Sequence, residues 1–222
     1  MNCVSFVAAI DGPAGAGKST LARKVANLLR MRYLDTGALY RALAFSLYSS
    51  QVSPEEGPRM EAAIAGISVE ILENGLLLNG KEVGKEIRSP LVDSIVSSYA
   101  ALPSVRKRLL SIQREQGKHG SLVADGRDMG TVVFPDADVK IFLTASDEVR
   151  AKRRLLELRE RGEDVTYEEV LQTIRERDRV DSERSTAPLR KAEGAIEVNT
   201  DALSIEEAVA ALASIISKRK GA

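Results

Sequence analysis

The sequence predicts an α/β protein with five core strands in a parallel sheet and one small antiparallel hairpin insert. Three observations carry that prediction. Val4 to Ile10 is a continuous apolar run that ends in glycine-rich sequence and is followed by apolar residues at helical spacing. The same strand-then-helix rhythm returns beyond residue 120. Between the two stretches, apolar runs are separated by Asn-Gly pairs, which mark tight hairpins.

In chain order, the first strand is followed from Ser19 by a helix with Leu21, Val25, Leu28 and Leu29 on its apolar side. Tyr33–Asp35 reads as a short second strand, and Gly37–Tyr48 as a helix with Leu39, Leu43 and Leu47 on one face. From 51 to 58 the composition turns to Ser, Pro, Gly and Glu, a linker signature. Ile67, Val69 and Ile71 then alternate with polar residues, followed by Asn74–Gly75, Leu76–Leu78, Asn79–Gly80 and Lys81–Val83. Both central positions of a type I′ turn need positive φ, so these pairs place an antiparallel meander at about 60–88. Ser121–Ala124, Val139–Leu143 and Ala195–Val198 complete the five core strands, with helices from Asp147 and from Ser204 to Ser217. Ligands of such sheets bind at the carboxyl ends of the strands, where glycine turns follow Asp11 and Asp125.

Composition narrows the chemistry. The 222 residues carry 32 basic and 32 acidic side chains, so no global charge points to nucleic acid or an anionic membrane. One Cys, Cys3, and one His, His119, supply no zinc cluster, disulfide framework or Cys–His pair. Cys3 reads as a small strand residue and His119 as a solvated loop side chain. No segment approaches the ~20 apolar residues of a spanning helix. The N-terminal run has no basic leader, so the expectation is a cytoplasmic protein, monomeric by default. The basic Lys218-Arg219-Lys220 reads as a solvated helix end that suits the helix dipole.

Gly12-Pro13-Ala14-Gly15-Ala16-Gly17-Lys18-Ser19 matches G-x-x-x-x-G-K-[ST] in full, between a strand and a helix N-terminus. There the glycines let backbone N–H groups converge on phosphate, Lys18 neutralises terminal phosphate charge, and the Ser19 hydroxyl suits Mg²⁺. With Thr20, this segment is the expected ATP site. Asp125, at a neighbouring strand tip, is the expected acid holding Mg²⁺ directly or through water; the competing reading is a plain turn carboxylate. No Asn-Lys-x-Asp segment for guanine is present, and several Arg residues suit a second phosphorylated substrate.

Two further segments, Leu34-Asp35-Thr36-Gly37-Ala38-Leu39-Tyr40-Arg41 and Ala124-Asp125-Gly126-Arg127-Asp128-Met129-Gly130, resemble the bacterial cytidylate kinases, P-loop nucleoside monophosphate kinases. The likeness extends to Asp-Gly-Pro-Ala-Gly-Ala-Gly-Lys-Ser-Thr, the hairpin insert and Ala-Pro-Leu at 187–189, nearly the full length. It implies a kinase core over 1–50 and 89–222, a monophosphate-binding insert over 51–88, and a short helical lid over about 147–165. It implies ATP-dependent conversion of CMP, and of dCMP, to the diphosphate with Mg²⁺.

The resemblance also implies residue roles. Arg41 and Arg127 hold the acceptor phosphate, for which planar guanidinium forks are suited. Ser97, Arg106 and Asp128 face the cytosine edge, which presents an amino donor beside ring acceptors. Arg177, Asp181 and Arg184 approach the sugar and phosphates, and Thr36 lines the same pocket. Arg150 and Arg154, four apart on one helix, are the lid cations that close on the transferring group with Lys18 and Arg127. Each carries a duller reading: Arg41, Arg106, Arg150 and Arg154 as solvated helix faces, Arg127 with Asp128 as a turn ion pair. Glu157 and Arg161 fit an ordinary helix salt bridge. Another monophosphate or a hydroxyl acceptor, and a nucleotide-dependent switch, stay open as rivals.

Overall fold

The structure is a computed structural model that describes residues 5–72 and 75–221; Cys3, the Val4 start of the first strand and Asn74 lie outside the described residues. The chain divides into two compact units, Met1–Leu34 with Gly117–Ala222, and Asp35–Gln116.

The first unit is built on a five-stranded parallel sheet in the order β2-β6-β1-β7-β8. The strands are β1 (Val7–Asp11), β2 (Arg32–Asp35), β6 (Leu122–Gly126), β7 (Val139–Thr144) and β8 (Ile196–Asn199). β1 pairs with β6 on one side and β7 on the other, so Asp11 stands beside Gly126 and Phe142. All five residues of β6, and Ala8 to Asp11 of β1, are buried, as a sheet covered on both faces requires. After β1 the chain leaves toward the β2 edge, and after β7 toward the β8 edge. Neighbouring strand ends whose connections part in this way open a ligand crevice.

Helix α1 (Lys18–Leu28) packs on β6 and on α8 (Ile205–Lys220). Its buried face is Leu21, Ala22, Val25 and Ala26, centred on Val25, which turns Leu28 to the flank and leaves it 61% exposed. α6 (Asp147–Glu160) and α7 (Tyr167–Glu183) pack together around Ala151, Val170 and Ile174. Ser146 caps α6, and Thr166 with Glu169 and Ser204 with Glu207 form capping boxes on α7 and α8. These side chains satisfy N–H groups that helix geometry leaves unpaired. The last turn of α8 holds Lys218, Arg219 and Lys220, as the dipole argument expects.

The second unit holds α2 (Thr36–Ser49), α3 (Pro58–Ala65), β3 (Val69–Leu72), β4 (Gly75–Leu78), β5 (Lys81–Val83), a 3-10 turn at Glu86–Arg88, α4 (Pro90–Ala100) and α5 (Pro103–Gln116). β3, β4 and β5 form the antiparallel meander. Asn79 and Gly80 both have positive φ, 51° and 76°, and join Leu78 to its partner Lys81. The antiparallel segment is shorter than the 60–88 expected from sequence, because 58–65 is helical: Pro58 opens α3, and Met60 and Ile64, four apart, are buried. The compact unit is wider than 51–88, because α2 packs against α4 and α5, and α3 against α5. Leu39, Leu43 and Leu47 are the buried stripe of α2.

Candidate active site

At the carboxyl end of β1 the chain turns through Gly12 (φ 151°), Gly15 (φ 73°) and Gly17 (φ 82°) into α1. A Cβ on Gly12 would lie 2.2 Å from the Leu143 carbonyl oxygen of β7, so only glycine lets the cradle leave the sheet here. Lys18 is the first residue of α1 and is 6% exposed; its Nζ donates to the Pro13 carbonyl at 2.6 Å. Burial, and then the Arg127 cation, push the Lys18 ammonium well below the ordinary lysine range against the pull of Asp125. An arriving phosphate would reverse that pressure. The Ser19 hydroxyl donates to Asp125 Oδ2 at 2.8 Å, while the Tyr33 hydroxyl donates to Oδ1 at 2.8 Å.

Hydroxyl and carboxylate oxygens are the hard donors Mg²⁺ takes, and one or two such groups suffice where substrate phosphates complete the shell. Among the described residues no group of three or more His, Cys, Asp or Glu could hold a metal alone. Ser19 and Asp125 therefore fit a magnesium that arrives with a nucleotide.

The cradle is gripped from outside. Asp178 of α7 accepts the Ala14 N–H at 3.0 Å, and Arg150 Nη1 donates to the Ala14 carbonyl at 2.7 Å. Arg150 also pairs with Asp178 and Asp147 and donates from Nε to the Ala145 carbonyl at 3.0 Å. It is 3% exposed, not on a solvated face. Arg154, one turn on, is partly exposed and pairs with Glu157 at 2.9 Å. Glu157 meets Arg154, three residues before it, and Arg161 closes the helix.

Where β6 ends, a five-residue π-helical turn, Met129–Val133, replaces the glycine turn expected after Asp125. Val133 and Phe134 donate back to the Asp128 and Met129 carbonyls at 3.1 and 2.7 Å. Wide turns of this kind recur at functional sites. Just before it, Arg127 Nε donates to Asp181 Oδ2 at 2.8 Å. Asp181 Oδ1 accepts from Arg184 at 3.2 Å, and Arg184 lies 3.9 Å from Asp128. Burial alone would raise the Asp181 carboxyl, but Arg127, Arg177 and Arg184 together bring it below the usual carboxylate range. Burial likewise opposes the Arg127 charge, and Asp181 more than offsets it. Ala187, with φ 51°, aims its carbonyl at Arg184 Nε, 2.8 Å away. Arg127, Asp128, Asp181 and Arg184 are therefore one largely buried knot of two guanidinium groups and two carboxylates.

Within the second unit, Asp35 caps α2 through Ala38 N–H and pairs with Arg88, and Thr36 is buried at the first position of that helix. Arg41 pairs with Asp93 of α4 at 2.6 Å and reaches the Ile87 carbonyl. Arg106 is 6% exposed; it lies 5.3 Å from the Tyr40 ring centroid and donates to the Ala100 carbonyl at 3.1 Å. Neither arginine sits on a solvated face. Ser97 is half-buried on α4.

The cytidylate kinase family profile matches residues 8–218. The chain belongs to the cytidylate kinase family. A cytidylate kinase of Fervidobacterium nodosum is 49% identical over 211 residues, covering 95% of this chain and 96% of that protein. One from Clostridium botulinum is 43% identical over 210 residues, 95% and 97% of the two chains. A solved structure of an uncharacterised protein from Eubacterium ventriosum superposes with a TM-score of 0.53 at 12% identity, over 97% of this chain and 99% of that one, and shares the fold. Membership makes the protein a nucleoside monophosphate kinase, a transferase.

For this kinase, sequence reasoning passed over Asp178, Tyr33 and Asp11, whose roles are contacts across the fold. Asp178 lay within the Arg/Asp-rich run 176–184, but no spacing rule links it to Ala14, 164 residues away. His119 is exposed in its loop, as expected.

Proposed function

We propose that the protein transfers the terminal phosphoryl group of ATP to CMP, and also to dCMP, yielding ADP with CDP or dCDP, as a step of pyrimidine nucleotide metabolism. One observation carries this reading. The glycine cradle with Lys18 ends β1, and the Arg127–Asp181–Arg184 knot with Asp128 ends the adjacent strand β6. Two cation-bearing strand ends side by side suit a reaction between two phosphorylated molecules.

The donor is assigned to Gly12 through Thr20, with Lys18 stabilising charge on the transferring group. For the acceptor we assign Thr36, Arg41, Ser97, Arg106, Arg127, Asp128, Arg177, Asp181 and Arg184. Ser19 and Asp125 would hold Mg²⁺, which supplies charge neutralisation between the donor's phosphates. Arg154 on α6 is assigned to the lid over about 147–165, and Arg150 serves catalysis through the cradle backbone it holds. No general base is required: the attacking oxygen of a phosphomonoester is anionic near neutral pH, its second ionisation lying near pH ~6. Exclusion of water by the lid restrains ATP hydrolysis. No described helix is long and apolar enough to cross a membrane. The proposed setting is the cytoplasm, with the monomer as default state, and the 32 basic and 32 acidic side chains give no global charge that would draw nucleic acid.

ADP release, coupled to a reporter enzyme and compared across AMP, GMP, UMP, CMP and dCMP, tests the assignment. CMP and dCMP should exceed the rest. Preference for another monophosphate, or ADP release indifferent to acceptor, overturns it.

A further inference from the structure

Asp11 is the last residue of β1, immediately before Gly12, and is 3% exposed. Its carboxylate accepts two successive backbone N–H groups from another part of the chain: Met129 to Oδ1 at 2.7 Å and Gly130 to Oδ2 at 2.8 Å. Those groups open the π-helical turn, and the first residues of any helical turn have N–H groups the turn itself cannot satisfy. Elsewhere in this chain the caps are local: α6, α7 and α8 use a hydroxyl, from Ser146, Thr166 or Ser204, and α2 uses the carboxylate of Asp35, the residue just before it. Here a carboxylate reaches in from a different strand.

That choice has a physical price. Burial raises the Asp11 carboxyl to about 6; the bonds from Gly130 and Met129 oppose the rise, the nearby Asp128 carboxylate adds to it, and the Lys18 cation opposes it. A neutral acceptor would satisfy an N–H at lower desolvation penalty. What the charge adds is a rigid, two-point hold on the turn that directly follows Arg127 and Asp128, made from the strand that leads into the cradle.

We propose that Asp11 is a positioning residue for the acceptor nucleotide: it fixes the Met129–Gly130 backbone so that Asp128 and Arg127 stand in register with the phosphate cradle. The inference rests on the functional reading above, in which those two side chains meet CMP.

Asp11→Asn tests it, since the amide keeps the shape but can accept at only one of its two positions. The KM for CMP should rise roughly tenfold or more, the loss expected for a charge-assisted hydrogen bond, while the KM for ATP stays within about twofold. Amide hydrogen exchange at residues 129–134 should quicken while that of α1 does not. Equal rises in both KM values, or none, overturn the proposal, because a merely structural role would not separate the substrates. If Asp11→Asn lacks the parent's far-UV circular dichroism, the same split is read on Asp11→Ser, which keeps one small acceptor. A parent enzyme that ignored CMP would overturn the functional reading, and the inference with it, before any variant was made.

Discussion

Gly12 and Lys18 define the residue scale, because each has a role no other side chain fills. At Gly12 even alanine would drive a methyl group to 2.2 Å from the Leu143 carbonyl at a φ of 151°. Gly12→Ala is expected to lower unfolding free energy by about 3 kcal/mol, from strain and the parting of β1 from β7; urea denaturation measures it, and a change under about 0.5 kcal/mol would refute the close approach. Lys18→Ala is the opposite kind of change. It removes a buried cation whose pKa burial already depresses, so the fold should survive while kcat falls by about 10²-fold or more. Near-parent turnover with parental circular dichroism would remove Lys18 from the mechanism. The glycine pattern and the Lys-Ser pair were legible in the sequence because they answer to local backbone geometry. The partners of Asp125, Tyr33 among them, were not, because that contact joins residues 92 apart.

Elements explain why some charges matter and others do not. The end of α7 meets the turn after β6 through Asp181, whose neighbours Arg127 and Arg184 are mostly shielded from solvent, with side chains 18% and 5% exposed. Asp181→Asn leaves those cations without their carboxylate and should cost about 3–5 kcal/mol by urea denaturation. Arg179, on the same helix, pairs with Glu176 and Glu183 at an exposed face, and Arg179→Ala should leave the midpoint essentially unmoved. Equal effects of the two changes would contradict the burial argument. Spacing alone does not separate Asp181 from Arg179, since helical period tells which residues share a face but not which face is covered. Hairpin chemistry was more transparent: Asn79 and Gly80 take the two positive φ values that their identities announce. α3 escaped because a single turn-and-a-half of apolar spacing at Met60 and Ile64 is a faint signal beside the meander that follows.

For the molecule as a whole, acid and alkali act through different carboxylates. Asp181 lies below its unfolded value, so its contribution is present above the ordinary carboxylate range and is lost as pH falls through its native value. Asp11 runs the other way. Its native value of about 6 exceeds the unfolded 3.8, so the stability it contributes is full below the unfolded value and is lost as pH rises through about 6. Comparing the parent with Asp11→Asn by urea denaturation at about pH 4.5 and about pH 7.5, the gap should shift by about 2 kcal/mol in the variant's favour at the higher pH. A gap independent of pH would show that the buried carboxylate titrates as it does in the unfolded chain. By itself the sequence determined the α/β rhythm, the cradle, the second hairpin turn and the family, because each is written in short-range patterns of backbone freedom, hydrophobic period and motif. Only the tertiary structure decided that Asp11 holds the π-helical turn, that Arg150 and Asp178 grip Ala14, and that the second unit begins at Asp35. Those facts depend on which distant residues folding brings within a few ångströms, and on which charges it takes out of water.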